Sequence, residues 1–211
     1  MSSSSWSEDE EYNKNKKKPK KCSSSSEDDE YNNIEIFKYE KEFAKSDRTD
    51  AILVVQGNKL HVNKALLSYH SDFFKTLFNS DFKEKSMKEI EIKDVNFEDF
   101  ATVLSLVQDN PLEINWKNAE NLLKLADRFL LRGSKMHVER FIISINSQYF
   151  SRHEKLVLAD KYNLENLLEH ALGLYNNRAA FRDFHSYNIP ISDQLRLKMF
   201  NDFFKKFGKS L

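Results

Sequence analysis

The sequence predicts an α/β (α+β) fold, with a small sheet beside a cluster of helices and an all-helical C-terminal extension behind them. Three observations carry that expectation. Ala51 to Val55 reads Ala-Ile-Leu-Val-Val, an unbroken and largely β-branched apolar run of the kind a buried strand needs. From about Leu66 onward apolar residues recur at helical spacing. Only four Gly and three Pro in 211 residues leave little material for tight turns. That length fits one domain, or one domain with an extension.

Residues 1 to 33 are a different kind of chain. Ser2 to Ser5 and Ser23 to Ser26 are serine runs, Glu8 to Glu11 and Glu27 to Glu30 are acidic, and Lys14 to Lys21 is nearly all lysine. Such a segment cannot bury enough apolar surface to offset its ordering entropy, so disorder is expected. The acid-base-acid blocks cancel, and a formal net charge of zero hides a strongly patterned tail. The lysine run fits a nuclear-import signal and equally a basic block neutralised by its neighbours. The expected location is cytoplasmic or nuclear. Ser5, Ser7, Ser24, Ser25 and Ser26 each precede an acidic residue by three positions, a pattern acidophilic kinases prefer.

Residues 34 to 49 bring the first apolar side chains, Ile34, Ile36, Phe37, Tyr39 and Phe43, in a pattern compatible with a strand, a short helix, or one leading into the other. After the Ala51 to Val55 strand, Gly57-Asn58 is the expected hairpin turn, with Leu60-His61-Val62 returning as partner. Leu66, Leu67, Phe73, Phe74, Leu77 and Phe78 place two short helices that meet near Ser71. Glu89 to Ile92 alternates like a half-buried strand. Asn96 is an N-cap for a helix carrying Phe97, Phe100, Leu104 and Val107 on one face. Leu122, Leu123, Ala126, Phe129 and Leu130 mark another helix, stopped near Gly133, and Val138, Phe141, Ile142 and Ile145 mark the next. Ser151 with Glu154 forms a capping box for a helix to about Lys161. Asn163 is expected to cap the following helix, with Leu164, Leu167, Leu168, Ala171 and Tyr175 inward. Ser192 caps the last, where Phe200, Phe203, Phe204 and Phe207 follow one stripe and Gly208 stops it.

Composition argues against several classes of function. A chain of zero net charge lacks the field that steers proteins to nucleic acid or membrane surfaces. No apolar run approaches ~18 residues, so no membrane span is expected. With one Cys, neither an internal disulfide nor a Cys-based zinc site can form. His61, His70, His137, His153, His170 and His185 do not make the i, i+4 ligand spacing of a metalloprotease helix. Gly57, Gly133, Gly173 and Gly208 lie too far apart to cradle a phosphate, and no Gly-x-Ser-x-Gly elbow occurs. Carboxylate pairs such as Glu98-Asp99 belong more readily to solvated helix faces than to acid-base chemistry. The expectation is a non-enzymatic protein without cofactor, whose function lies in surfaces that bind other proteins.

Residues 50 to 145 resemble a BTB (POZ) domain. Thr49-Asp50-Ala51-Ile52-Leu53-Val54-Val55 is similar to the family's opening strand, and Leu60-His61-Val62-Asn63-Lys64-Ala65-Leu66-Leu67-Ser68 continues it. Ser71-Asp72-Phe73-Phe74-Lys75-Thr76-Leu77-Phe78 follows at the family's spacing. Ile92, Asp94 and Val95 are similar to its strand-then-Asp-Val element, and Leu122-Leu123-Lys124-Leu125-Ala126-Asp127 to its Leu-Ala-Asp helix. Leu158-Ala159-Asp160-Lys161-Tyr162-Asn163-Leu164 resembles the BACK-like helical extension that follows BTB in many adaptors, which assigns residues 146 to 211 to that extension. The family's usual His is Asn63, and the Tyr that often ends its third long helix is Gln108. Nothing in the sequence resembles a MATH domain, kelch repeat or zinc finger, the modules that usually choose a target.

The resemblance implies self-association and partner binding. It implies a homodimer to which residues 34 to 49 contribute, with Ile36, Phe37 and Phe43 seeking cover either from a partner or from their own domain. Asp50 and Lys64 would occupy a charged pocket near the dimer interface, or form a plain structural ion pair. Phe82-Lys83-Glu84 matches the hydrophobic-x-Glu triplet by which adaptors of this family recruit a type-three cullin, with Phe82 as anchor, Glu84 at the rim and Gln108 on the same contact surface. The resemblance thus implies a substrate-recruiting subunit of a cullin-RING ubiquitin ligase, its substrate unknown. The alternative is an oligomerisation or scaffolding module that binds no cullin, which Gln108 favours, with the lysine run pointing to a nuclear location.

Overall fold

A computed structural model of the chain describes residues 38–79 and 89–208. The expectations for the serine, acidic and lysine tail, for Ile36 and Phe37, and for Phe82 and Glu84 lie outside them. A helical turn over residues 38–42 leads in. Strands β1 (Ala51–Val55) and β2 (Asn58–Val62) form a hairpin, followed by α1 (Lys64–His70), α2 (Asp72–Asn79) and β3 (Glu89–Glu91). Helices α3 (Phe97–Ser105), α4 (Ala119–Arg128) and α5 (Arg132–Ser144) complete the first part. The extension is α6 (Arg152–Lys161), α7 (Glu165–Gly173), α8 (Arg178–Ser186) and α9 (Asp193–Phe207). This is the small sheet, helix cluster and helical C-terminal extension that the sequence predicts.

The sheet has the order β2-β1-β3. β1 runs antiparallel to β2, with Leu53 opposite Leu60, and parallel to β3, with Leu53 opposite Ile90. Being central explains why β1 is a continuous apolar run: its Leu53 and Val55 are fully buried and the alternate residues half-buried. The hairpin turn lies one residue earlier than expected. Its central residues are Gln56 and Gly57, at φ 50° and 83°, and Asn58 pairs with Val55 in the ladder. Both positions need left-handed backbone, as the twist-matched two-residue hairpin turn demands, and Gln56 accepts that because its Oε1 takes the Phe97 N–H at 3.0 Å.

Phe129 centres the first core. It lies 5.0 Å from Phe73, 5.9 Å from Phe74 and 5.1 Å from Phe100, so α2, α3 and the end of α4 meet on one ring. Burying each such ring is worth roughly 1.5–3 kcal/mol. Ser71, between α1 and α2, donates to the Phe129 carbonyl at 2.6 Å and accepts the Phe74 N–H at 3.1 Å. Ser134 donates to the Val103 carbonyl at 2.7 Å. The buried hydroxyls thus hold backbone ends where no regular hydrogen bond reaches.

Asn96, Ser151 and Ser192 cap their helices as expected, and Ser151 with Glu154 makes both bonds of the capping box. Three helix-end expectations are corrected. Helix α4 ends at Arg128, where Leu130 turns left-handed at φ 52° and stands half exposed, so Leu130 is not an inward residue. Gly133 lies inside α5 rather than ending α4, where Val107 Cγ1 and His70 Nδ1 would meet a Cβ at 3.4 and 3.6 Å. Asn163 does not cap α7: it is itself left-handed at φ 50°, Leu164 is the N-cap, and the cap acceptor is Glu139 of α5, whose Oε1 takes the Leu167 N–H at 2.9 Å.

Two apolar clusters result. The first runs from Tyr39 to Leu167, and the second from Leu156 through Tyr175, Phe181 and Phe184 to Met199. Helix α6 serves both, because Leu158 and Ala159 face the first and Leu156 the second, while Leu168 of α7 packs against each.

Candidate protein-interaction surface

Tyr39 and Phe43 pack on their own domain. Phe43 is 1% exposed, and its carbonyl accepts the His61 N–H at 3.1 Å, which ties the leading segment to β2. Tyr39 lies edge-on to Phe97 at 5.6 Å. Of the two covers open to these rings, the structure selects the intramolecular one.

Asp50 and Lys64 meet, though not as an ion pair. Asp50 Oδ1 accepts the Lys64 backbone N–H at 2.8 Å, while the Lys64 ammonium lies 5.9 Å from the Phe78 ring centroid. Asp50 is exposed. The helix explains the arrangement. The first N–H groups of α1 have no intrahelical acceptor, so Asp50 takes that of Lys64 and Asn63 Oδ1 takes that of Leu66 at 2.8 Å. Asn63 Nδ2 also donates to the Arg48 carbonyl at 2.7 Å. An amide at this position therefore closes the segment before β1 onto the start of α1, and the departure from the family's His has a local structural use.

Gln108 is half-buried just beyond α3, where its N–H donates to the Ser105 carbonyl at 2.9 Å. It lines a groove of about 610 Å³ between residues 41–49, the end of β2 with the start of α1, and residues 107–110. Lys41, Glu42, His61, Asn63 and Asp109 share that groove. Burial raises the Glu42 carboxyl above its ordinary range; Lys41 opposes the shift and Asp109 adds to it. The groove is a mixed-charge surface beside the point where the resemblance expects a cullin contact.

The extension carries a second concavity that sequence reasoning did not find. A cleft of about 390 Å³ opens between Phe150, the start of α6 and the α8–α9 turn, with His153, Val157, Leu158, Ile189 and Pro190 among its walls. His153 lies 5.3 Å from the Tyr187 ring and 5.9 Å from the Tyr175 ring. Among the described residues its Nε2, the Tyr175 hydroxyl and Arg152 Nε are buried without a hydrogen-bond partner. Burial, then the Arg152 guanidinium, hold His153 below the ordinary imidazole range, while Asp183 and Glu154 oppose. Burial raises the Tyr175 hydroxyl far above the usual phenol range. Arg152 is itself tied to Asp183 at 2.5 Å. No local motif announces this site, because its members are scattered between Glu120 and Pro190 and meet only through the fold.

No group of His, Cys, Asp and Glu able to hold a metal ion occurs among the described residues, and none of their helices is long and apolar enough to cross a membrane. A family model described as BTB/POZ domain matches residues 39–146, just over half of the chain. BTB and MATH domain-containing protein 36 of Caenorhabditis elegans is 36% identical over 134 residues, covering 64% of this chain and 40% of that protein. A BTB/POZ domain-containing protein of the same organism is 32% identical over 170 residues, covering 79% of this chain and 53% of that protein. The chain thus spans about half the length of the curated relatives it matches. The solved BTB domain of human gigaxonin aligns with 20% identity and a TM-score of 0.39, covering 55% of this chain and 93% of that one.

Proposed function

The chain belongs to the BTB/POZ domain family, a family of protein-interaction modules, and from that premise we propose that it is a dimeric adaptor that brings a substrate protein to a type-three cullin of a RING ubiquitin ligase. One observation carries the reading. Phe82-Lys83-Glu84 falls between the end of α2 at Asn79 and the start of β3 at Glu89, the position at which the family's cullin-recruiting triplet stands. A loop aromatic is suited to anchor in a partner's pocket, and a neighbouring carboxylate to accept hydrogen bonds at its rim. The helical extension behind the domain supports the same reading. Gln108 favours the second reading, an oligomerisation or scaffolding module without cullin, because it replaces a Tyr that contributes to the same surface.

Binding of the full chain to a purified cullin N-terminal region separates the two. Phe82→Ala should cost ~2 kcal/mol or more, roughly thirtyfold in affinity. Glu84→Ala should cost less, and Lys83→Ala little. Melting temperatures measured alongside identify any loss due to misfolding. Wild-type chain that fails to bind transfers the lead to the scaffolding reading, and a Phe82→Ala variant that binds as wild type removes the triplet from the argument.

A further inference from the structure

Val157, Leu158, Ile189 and Pro190 give the cleft between the start of α6 and the α8–α9 turn its apolar walls, and the rings of Phe150, His153 and Tyr187 stand in the same lining. Tyr187 is 62% exposed and lies 5.3 Å from His153, so its ring stands at the mouth instead of being packed away. Glu120 and Glu154 are the charged groups of the lining, both acidic and both exposed, and no Lys or Arg joins them among the described residues. His153 adds no positive charge at neutral pH, since burial and then the Arg152 guanidinium favour its neutral form. Aromatic faces and carboxylates around one opening attract a cation, the faces through their quadrupoles and the carboxylates by charge-assisted hydrogen bonds. At about 390 Å³ the cleft has the size of a ligand pocket. It suits a group that is apolar along its stem and positive at its head.

The chain's own described cations do not fill the site. Arg152 is tied to Asp183, and Lys117 lies 5.6 Å from the Trp116 ring centroid. Lys124 stands one turn beyond Glu120, exposed and outside the lining. Lys161 reaches Glu120 at 3.7 Å with both side chains more than half exposed, a weak surface pair that an incoming cation displaces at little cost. Glu154 uses Oε2 to accept the Ser151 N–H at 2.8 Å, and a carboxylate has lone pairs for more than one donor. Lysine and arginine side chains have the makeup the cleft suits, a methylene stem under a charged head. The surroundings narrow what carries them. Trp116 and Tyr149, 47% and 42% exposed, stack at 5.4 Å. Tyr149 precedes Phe150 and Trp116 stands four residues before Glu120, so an aromatic ledge adjoins the cleft. A peptide that seats a cation here meets that ledge best with apolar neighbours. The chain's own run at 14–21 is rich in lysine but has only Pro19 to offer it. We propose that this cleft docks a lysine or arginine side chain of a partner protein's peptide, with apolar residues beside the cation. The surface is made by other residues than the loop assigned to the cullin, and it stands whether or not a cullin binds.

The probes are capped tripeptides leucine-X-leucine, with X arginine, lysine, citrulline or glutamate, titrated into the full chain and followed by amide NMR shifts. Citrulline keeps the shape of arginine without its charge. The arginine or the lysine peptide should saturate shifts at His153, Val157 and Tyr187, roughly fivefold more tightly than the citrulline and glutamate peptides; the tighter of the two names the cation. Glu120→Gln/Glu154→Gln should keep the wild-type melting temperature, because glutamine still accepts the Ser151 N–H in the capping box. It should bring the arginine and lysine peptides down to the level of citrulline. Tyr187→Ala, at an exposed position, should weaken them severalfold. Citrulline that binds as tightly as arginine, no saturation at the cleft with any peptide, or a preference for the cation that survives the double variant overturns the proposal. Replacing the lysines of residues 14–21 by serine should leave the affinities of the wild-type chain unchanged. A cleft that accepts the cationic peptides only in that variant is filled by the chain's own lysine run, and the partner peptide is then ruled out.

Discussion

Glu139 and Lys155 are buried, at 5% and 3% exposure, and each completes a helix end. Glu139 of α5 accepts the Leu167 N–H at 2.9 Å and the Asn166 side-chain amide at 3.2 Å, at the start of α7. Lys155 of α6 donates to the Ile143 and Ile145 carbonyls at 3.3 and 3.0 Å, at the end of α5. Burial holds its ammonium below the ordinary lysine range. Two charges thus fasten the extension to the domain, one at a positive helix end and one at a negative end. Glu139→Ala leaves buried donors unmatched and should cost about 1–3 kcal/mol in denaturant unfolding. Glu139→Gln retains an acceptor and should cost less; equal losses would show that the carboxylate caps nothing. His153 predicts a pH dependence. Its folded pKa lies below the unfolded value of 6.5, so between the two the unfolded chain binds a proton that the folded chain does not. Its contribution to stability is complete above the unfolded value, falls as pH drops through that window, and levels off below the folded value. Unfolding followed over roughly pH 5–7 should be steeper for wild type than for His153→Gln. Parallel curves would deny the histidine this part.

At the scale of elements, the β1–β2 hairpin shows what a single backbone requirement does. Gly57 sits at φ 83° with nothing within 4 Å of a would-be Cβ, so Gly57→Ala meets strain and no clash. The expected loss is about 1 kcal/mol in thermal or denaturant unfolding, and a loss several times larger would mean that the register of the hairpin had shifted. The same turn marks a limit of the sequence. Gly57 is a visible signal, but the turn could be placed on either side of it, and what fixes it is Gln56 reaching the Phe97 N–H, 41 positions away. The caps divide in the same way. Ser151 with Glu154 is legible because both partners lie within one turn, whereas the true acceptor for α7 is Glu139, 28 positions before the residue it caps. Asn163 looks like a cap because it is an asparagine before an apolar helix; it is there to turn the chain left-handed. Leu130 fails for a related reason, since periodicity continues past Phe129 while the backbone does not. The order of strands and helices was therefore readable from local pattern except for α8, whose buried Ala180, Phe181 and Phe184 give too short a stripe to mark a helix on their own. Of the candidate site, the sequence named Asp50, Lys64 and Gln108, but neither the backbone character of the Asp50–Lys64 contact nor the His153 cleft, both of which depend on tertiary proximity.

For the whole molecule, the first cluster reaches back to Tyr39 and Phe43 and forward to Leu167, so the segment before β1 belongs to the domain core as firmly as the helices do. That changes what a dimer can use. Phe43 is 1% exposed within one chain, and Tyr39 is 6% exposed, so neither ring is free to cover a partner. A homodimer to which the leading segment contributes must then draw on Ile36 and Phe37, which precede the described residues. The two kinds of residue should respond oppositely to substitution. Phe43→Ala opens a cavity in the core and should lower stability by about 3–5 kcal/mol, while the chain that remains folded keeps the mass of wild type in light scattering. Ile36→Glu with Phe37→Glu should leave the melting of the isolated chain little changed but reduce the mass at tens of micromolar, where assembly is set by mass action. A wild-type chain that is monomeric at that concentration would remove the dimer from the proposal. A mass that falls with Phe43→Ala while the fold persists would mean instead that the ring leaves its own core when two chains meet.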